Sequence, residues 1–259
     1  MFITLTLNPA IDQTLTVDGA LALGQVHAVR AETRTPGGKG VNVSKMLAAN
    51  GKPVIAGGLI GRDQFAFFRR MLAPMGIACR FLAVPHPTRT NTMITDDQGR
   101  ELKLNIPGFP DLACNRSALS EYARSLARPG AVAILSGSLP VRFPPDTYAR
   151  LTRLFRKAGC AVVVDTAGPA LAAALAIPPD VIKPNRRELE AALGVSLKSE
   201  RARRAALVRL MARVEAVILS DGARGAWFAS RGQILAAASP AVPRVDTTGA
   251  GDALLGQFC

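Results

Sequence analysis

Ala131-Val-Ala-Ile-Leu-Ser-Gly-Ser-Leu-Pro140 opens as an aliphatic run and ends abruptly in serine, glycine and proline. A run too short for a helix and bounded by turn residues reads as a buried strand. The pattern recurs at Val162-Val-Val-Asp165, Val181-Ile-Lys-Pro-Asn185 and Val217-Ile-Leu-Ser-Asp-Gly222, each followed by a turn and a helical segment. Strands alternating with helices build βαβ units and a mostly parallel sheet, so the chain is expected to be an α/β three-layer sandwich. Composition agrees, since 49% of the 259 residues are hydrophobic but only 5% are aromatic, which suits aliphatic strands covered by helices on both faces. Each strand also ends in groups that can do chemistry: Ser136 and Ser138, Asp165, Lys183 and Asn185, Ser220 and Asp221. Ligands of open α/β sheets bind outside the carboxyl ends of the strands, so four successive strands loading one edge place a site along it.

Upstream the pattern changes. Phe2 to Leu7 reads as a strand followed by a second extended stretch. Thr90-Asn-Thr-Met-Ile-Thr95, the turn Asp96-Asp-Gln-Gly99 and Glu101-Leu-Lys-Leu-Asn-Ile106 form a hairpin with alternating faces. These extended pieces predict a small β-sheet lid, about residues 12–35 and 87–107, inserted in one domain spanning residues 1–259. Val41 to Asn50 and Asp63 to Met75 read as helices, the second with Asp63 as its N-cap and Gly76 as its stop.

The formal charge of +13 raises a nucleic-acid partner. The densest basic run, Lys198 to Arg213, instead spaces apolar residues at helical intervals with no interleaved aromatics, as in an amphipathic helix with a solvated outer face; no nucleic-acid partner is expected. The longest apolar runs fall far short of a membrane span, and the N-terminus has neither a basic start nor an apolar core, so no membrane partner and a cytoplasmic location are expected. Cys79, Cys114, Cys160 and Cys259 lack metal-ligand spacing and read as reduced structural thiols.

Two glycine-rich stretches carry the chemistry. Pro36-Gly-Gly-Lys-Gly-Val-Asn-Val-Ser44 feeds a helix and lets backbone N–H groups approach a ligand, although it matches neither the P-loop nor the dinucleotide fingerprint. Alone it is a weak signal. In Arg244-Val-Asp-Thr-Thr-Gly-Ala-Gly-Asp252, the amides of Gly249, Ala250 and Gly251 would open a helix as an anion hole. Asp252 then lies in the first turn, placed to take a proton from an attacking hydroxyl.

These two stretches, with Ser136-Gly-Ser-Leu-Pro140 and Lys183-Pro-Asn-Arg-Arg-Glu-Leu-Glu190, closely resemble the PfkB branch of the ribokinase-like sugar kinases. The opening Thr6-Leu-Asn-Pro-Ala-Ile-Asp12 looks most like the 1-phosphofructokinases and tagatose-6-phosphate kinases of that branch. The resemblance implies sugar-hydroxyl positions at Asp12, Gly37, Gly38 and Asn42, and a further substrate position at Ser138. It implies cations on the substrate's own phosphate at Lys39 and at Arg89 of Pro87-Thr-Arg-Thr-Asn91. On the nucleotide side it implies Lys183, Asn185 and Glu188, with Ser220, Gly222 and Gly225 along ATP. Asn185, Glu188 and Asp165 would organise Mg²⁺, largely through water. Gln25 and His27 stand where some relatives place cations.

What the resemblance implies is an ATP-dependent kinase that turns a ketohexose phosphate of the fructose 1-phosphate or tagatose 6-phosphate type into the bisphosphate. A homodimer through the lid is expected with it. Two other readings stay open: a kinase for an unphosphorylated sugar or nucleoside, and a catalytically impaired relative that only binds sugar phosphate. The chain ends at Gly256-Gln-Phe-Cys259, inside the helix that carries Asp252, so a C-terminal truncation with helices missing is also expected.

Overall fold

The computed structural model describes residues 1–109, 115–239 and 249–259; Cys114 and the Arg244 to Thr248 part of the C-terminal motif lie outside them. Among the described residues the strands are β1 (Phe2–Thr6), β2 (Ala10–Val17), β3 (Val29–Gly37), β4 (Val54–Gly61), β5 (Ala78–Cys79), β6 (Leu82–Val84), β7 (Arg89–Thr95), β8 (Glu101–Leu104), β9 (Val132–Ser136), β10 (Ala161–Asp165), β11 (Val181–Ile182), β12 (Ala216–Ser220), β13 (Ala226–Ser230) and β14 (Gln233–Ala237). The helices are α1 (Lys39–Ala49), α2 (Phe65–Leu72), α3 (Arg116–Leu126), α4 (Thr147–Lys157), α5 (Gly168–Ala176), α6 (Arg186–Leu193), α7 (Glu200–Met211) and α8 (Ala250–Phe258).

The main sheet has the order β14-β13-β12-β11-β10-β9-β1-β4-β5, with β6 also on β4, and is parallel from β12 to β6. Successive side chains of a strand point to opposite faces. Ala133 and Leu135 of β9 and Val162 and Val164 of β10 therefore join Ile3, Leu5, Tyr148 and Phe155 in one apolar layer. Ile134 and Val163 join Val41, Leu47, Phe68 and Leu255 in the other. Both faces are buried, which is why these strands read as unbroken aliphatic runs.

A second sheet has the order β3-β2-β7-β8. Its β2 and β7 run parallel, and Asp12 stands in register with Thr35 on one side and Asn91 on the other. The forecast hairpin is present, with Thr95 opposite Glu101.

Three local readings need correction or addition. Asp63 does not cap a helix: Arg62–Gln64 form a 3₁₀ turn entered from extended Gly61, Gln64 occupies the N-cap of α2 without a capping bond, and its amide oxygen accepts the Thr88 N–H at 3.0 Å. Gly76 does close the tract, at φ 73°. Strand β11 stops after two residues because Pro184 has no N–H to give a ladder, and the chain rejoins β12 only as an isolated Asn185–Ser220 bridge. The β13–β14 hairpin, absent from the sequence reading, turns through Arg231 and Gly232 at φ 50° and 77°. That is turn geometry for two left-handed residues, and an arginine in the first place hides it.

One side chain closes a gap in the parallel sheet. Between β5 and β6 the edge of β4 is uncovered, and the Tyr122 hydroxyl fills it, accepting the Gly58 N–H at 2.7 Å and donating to the Arg80 carbonyl at 2.6 Å. Removing that oxygen leaves the buried Gly58 N–H and the Arg80 carbonyl without it, so Tyr122→Phe should lose about 1–3 kcal/mol of unfolding free energy in a denaturant titration. A change below about 0.5 kcal/mol would mean that water replaces the hydroxyl.

Candidate active site

The carboxyl edge of the main sheet brings four charged side chains together. Asp165 ends β10 fully buried, beside Ser136 of β9, whose hydroxyl lies 3.5 Å from Asp165 Oδ2. Its other partners are ammonium groups: Lys39 Nζ at 3.2 Å from Oδ1 and Lys183 Nζ at 3.3 Å from Oδ2. Lys39, the first residue of α1, also meets Glu188 at 3.6 Å. Burial works against its charge, but Asp165, Glu188 and Asp252 together outweigh it and hold the Lys39 pKa above the usual lysine value. Lys183 follows β11, and Glu188 stands in the first turn of α6, where Asn185 is the N-cap. Asn185 and Glu188 form a capping box: the Asn185 side chain accepts the Glu188 N–H at 2.9 Å, and Glu188 accepts the Asn185 N–H at 2.8 Å.

Asp252 faces this cluster from the first turn of α8 and is 5% exposed. Asn42, one turn into α1, donates its amide to Asp252 Oδ2 at 3.0 Å. Burial pushes the Asp252 carboxyl up to about 6; the Asn42 bond lowers it, Asp165 raises it further, and Lys39 and Lys183 pull it down. Helix α8 starts through Gly249 at φ 78°, left-handed backbone that glycine adopts without strain, and a Cβ on Gly251 would lie 3.4 Å from Lys183 Nζ. Ahead of α1, Gly38 at φ 109° has the same freedom, and a Cβ there would sit 2.8 Å from Thr6 and 3.2 Å from Pro9.

The small sheet supplies the facing wall. Asp12 rests against Gly37, where any Cβ would overlap its carboxylate, and accepts the Asn91 amide at 3.0 Å. The Arg89 guanidinium donates to the carbonyls of Ile106 at 2.7 Å and of Pro9 and Asn8 at 3.3 Å. Burial lowers its pKa, and Asp12 opposes that. Asn8 holds Pro107 O at 2.9 Å and Ser138 Oγ at 3.0 Å, tying the end of β1 to the loop after β9 and the small sheet's return.

Between these walls lies a cleft of about 1100 Å³. Asp12, Gly38, Lys39, Asn42, Arg89, Lys183, Asn185, Glu188, Ser220, Gly222, Gly225, Gly249, Ala250, Gly251 and Asp252 all line it. Gly37 and Asp165 stand behind the surface, against Asp12 and the two lysines, and exposed Ser138 lies outside the lining, bonded to Asn8. The sequence reading missed Asn91 and Asn8. Asn91 shares a face with Arg89 two residues earlier in β7, a period-2 signal that becomes informative only once β7 is paired with β2. Asn8 sits in the quoted Thr6 to Asp12 stretch, but its partners are distant in sequence.

Where the loop after β12 enters the cleft, Asp221 gathers Arg186 at 2.8 Å and Arg224 at 2.9 Å, and Gly225 at φ 94° packs where a Cβ would overlap Ala237 O. The basic run of α7 is the expected amphipathic helix: Ala206, Leu207 and Leu210 are buried, and Arg203 and Arg204 lie 5.3 and 5.2 Å from the Trp227 ring centre. No helix among the described residues is long and apolar enough to cross a membrane.

Residues 5–259 match the model of the pfkB family carbohydrate kinases. The chain belongs to that family. It is 38% identical to the 1-phosphofructokinase of Xanthomonas campestris pv. campestris, over 98% of this chain and 81% of the relative. It is 40% identical to the 1-phosphofructokinase of Rhodobacter capsulatus, over 97% of this chain and 80% of the relative. Its fold superposes on Escherichia coli phosphofructokinase-2 in complex with fructose-6-phosphate, with a TM-score of 0.89 at 26% identity, covering 98% of this chain and 84% of that one. This carbohydrate kinase therefore has the ribokinase-like fold and uses ATP as its co-substrate.

In this kinase the buried charge of Asp252 carries a stability cost with a defined pH window. Its carboxyl pKa rises from 3.8 to about 6 on folding, so the penalty is absent below 3.8, grows between those values and is complete above about 6. Asp252→Asn should therefore unfold at higher denaturant than the parent at pH 8, by up to roughly 3 kcal/mol, and the difference should shrink as pH falls toward 4. A gap that does not change with pH would assign the effect to packing alone.

Proposed function

We propose that this kinase transfers the terminal phosphoryl group of ATP to the free primary hydroxyl of fructose 1-phosphate, giving the 1,6-bisphosphate. The observation that carries the chemistry is Asp252: a buried carboxyl poised near neutrality, held by Asn42, at the first turn of α8 and opposite two lysines. Asp252 takes the hydroxyl proton as the oxygen attacks. The amides of Gly249, Ala250 and Gly251 receive the charge on the phosphoryl oxygens as it moves, and Lys183 supports them. Phosphoryl transfer needs little else from a protein beyond alignment and positive charge. The choice of fructose 1-phosphate rests on relatives named 1-phosphofructokinase at 38% and 40% identity.

On the sugar side, Asp12, Gly37, Gly38, Asn42 and Ser138 orient hydroxyls, with the Asn91 amide oxygen, which has no partner among the described residues, as a further acceptor. On the nucleotide side, Asn185, Glu188, Ser220, Gly222 and Gly225 flank ATP. Among the described residues no group of three or more His, Cys, Asp or Glu could hold a metal ion. A Mg²⁺ would therefore arrive with the nucleotide, its shell filled mainly by phosphate oxygens and water, with Glu188, Asn185 and Asp165 nearby to hold those waters. The small sheet acts as the lid, excluding water and so restraining ATP hydrolysis. Val29, Leu102 and Leu104 expose apolar surface on its edge strands, which supports a homodimer through the lid.

Coupled assays over fructose 1-phosphate, fructose 6-phosphate, tagatose 6-phosphate, fructose and ribose test the substrate. Fructose 1-phosphate should have the highest kcat/KM; a higher value for an unphosphorylated sugar sinks the assignment. Asp252→Asn should cut kcat by about 10²- to 10⁴-fold while ATP and sugar phosphate still bind.

The pH profile offers a second check, because kcat/KM should fall on an acid limb near pH 6. Removing the hydrogen bond that favours the carboxylate raises its pKa, so Asn42→Ala should move that limb to higher pH. A limb that stays in place belongs to a substrate phosphate and not to Asp252.

A further inference from the structure

Helix α1 presents three polar side chains at three-residue spacing, and each meets different company. Lys39 is drawn into the acid cluster by Asp165 and Glu188, and Asn42 donates to Asp252. Lys45 lies one turn beyond Asn42 and turns toward the small sheet. Its ammonium donates to the Pro36 carbonyl at 2.5 Å, and the carboxylate acting on it is Asp12, which is not within ion-pair distance. Among the described residues no carboxylate pairs with it directly. Lys45 is nevertheless half-buried, and burial pushes its pKa below the ordinary lysine value while Asp12 opposes the change. A cation taken from water without a counter-charge is costly, and an incoming anion offsets that cost.

The space in front of Lys45 is a second cavity of about 690 Å³, walled also by Met46, Met93 and Lys103. It is continuous with the catalytic cleft, since Asp12, Asn42, Asn91, Gly249 and Ala250 line both. Arg89 lines the catalytic cleft, not this cavity, and three backbone carbonyls already occupy its guanidinium.

We propose that Lys45 holds the phosphate that the sugar substrate already carries, leaving Lys39 to the phosphoryl group in transit. The inference rests on the sugar-phosphate reading above. Three residues advance an α-helix by about 4.5 Å, so the Asn42 to Lys45 step separates the acceptor hydroxyl at Asp252 from a phosphate at the far end of one hexose. A dianionic phosphate would meet a lysine already stripped of part of its water, and a charge-assisted contact there favours phosphorylated sugars over free ones.

Lys45→Gln and Lys45→Arg test this against a purely structural role at the Pro36 turn. Steady-state kinetics would follow fructose 1-phosphate, free fructose and ATP with each enzyme. Lys45→Gln should raise KM for fructose 1-phosphate about 10- to 100-fold, leave kcat within about threefold, and leave KM for ATP and any turnover of free fructose unchanged. Lys45→Arg should restore most of the loss. An unchanged KM for fructose 1-phosphate in Lys45→Gln overturns the proposal, and so does an equal loss on free fructose, which would mark Lys45 as a strut. A parent enzyme that prefers free fructose is a different failure, because it removes the substrate assignment itself before any variant is compared.

Discussion

Asp165 is the fixed point of this molecule. A carboxylate at the end of a central strand, with no exposure to solvent, needs a compensating partner for each oxygen, and Lys39 and Lys183 supply them. The pairing joins segments far apart in sequence, the start of α1 and the residues after β11. It sets the position of α1 along the sheet edge, and with it the Asn42 amide that reaches Asp252. Gly38 lets β3 turn directly into that helix, so the small sheet is anchored by the same contact. Removing either lysine would leave a buried charge half compensated, which makes the cluster a structural requirement before it is a catalytic one.

The same cluster separates two carboxylates that share one cleft. Asp165 has two ammonium partners, whereas Asp252 has one neutral amide, a buried site and the negative charge of Asp165 nearby. Two carboxyl groups in contrasting environments take different roles. One orders two cations. The other is kept near the pH at which it can accept a proton and give it up again.

How much of this was legible in the sequence depended on whether the partners are neighbours along the chain. The aliphatic runs of β9, β10 and β12 announced a parallel sheet because burial on both faces leaves no alternation to misread. The turn around Gly249 and Asp252 was legible because the glycines and the carboxylate are contiguous. Asn91 and Asn8 were not, since their meaning comes from the Asp12–Asn91 register and from a bond spanning Asn8 to Ser138. The company of Lys39 was equally hidden. A lysine beside two glycines looks the same whether it reaches toward the sugar or toward Asp165, and only the fold sets its direction. The β13–β14 hairpin escaped because Arg231 occupies a backbone region where asparagine or glycine is the usual signal.

The charge of +13 takes on a different meaning once these cations are placed. Arg203 and Arg204 stack on Trp227, and Arg186 and Arg224 are committed to Asp221, so much of the basic surface near the loop after β12 stabilises the fold or shapes the cleft wall. That loop still faces a cleft whose lining carries Lys39, Arg89, Lys183, Arg186, Arg187 and Arg224 against Asp12, Glu188, Asp221 and Asp252. On the proposed function two polyanionic substrates enter that space together, and each brings charge that repels the other. A positive rim raises the local concentration of both and lowers their mutual repulsion, an effect that salt screens over about 10 Å at 0.1 M ionic strength. On the proposed reading the excess of cations follows from the reaction: a site that holds two phosphorylated molecules side by side, with the accepting oxygen against a carboxylate, needs more positive charge around it than that carboxylate alone would call for.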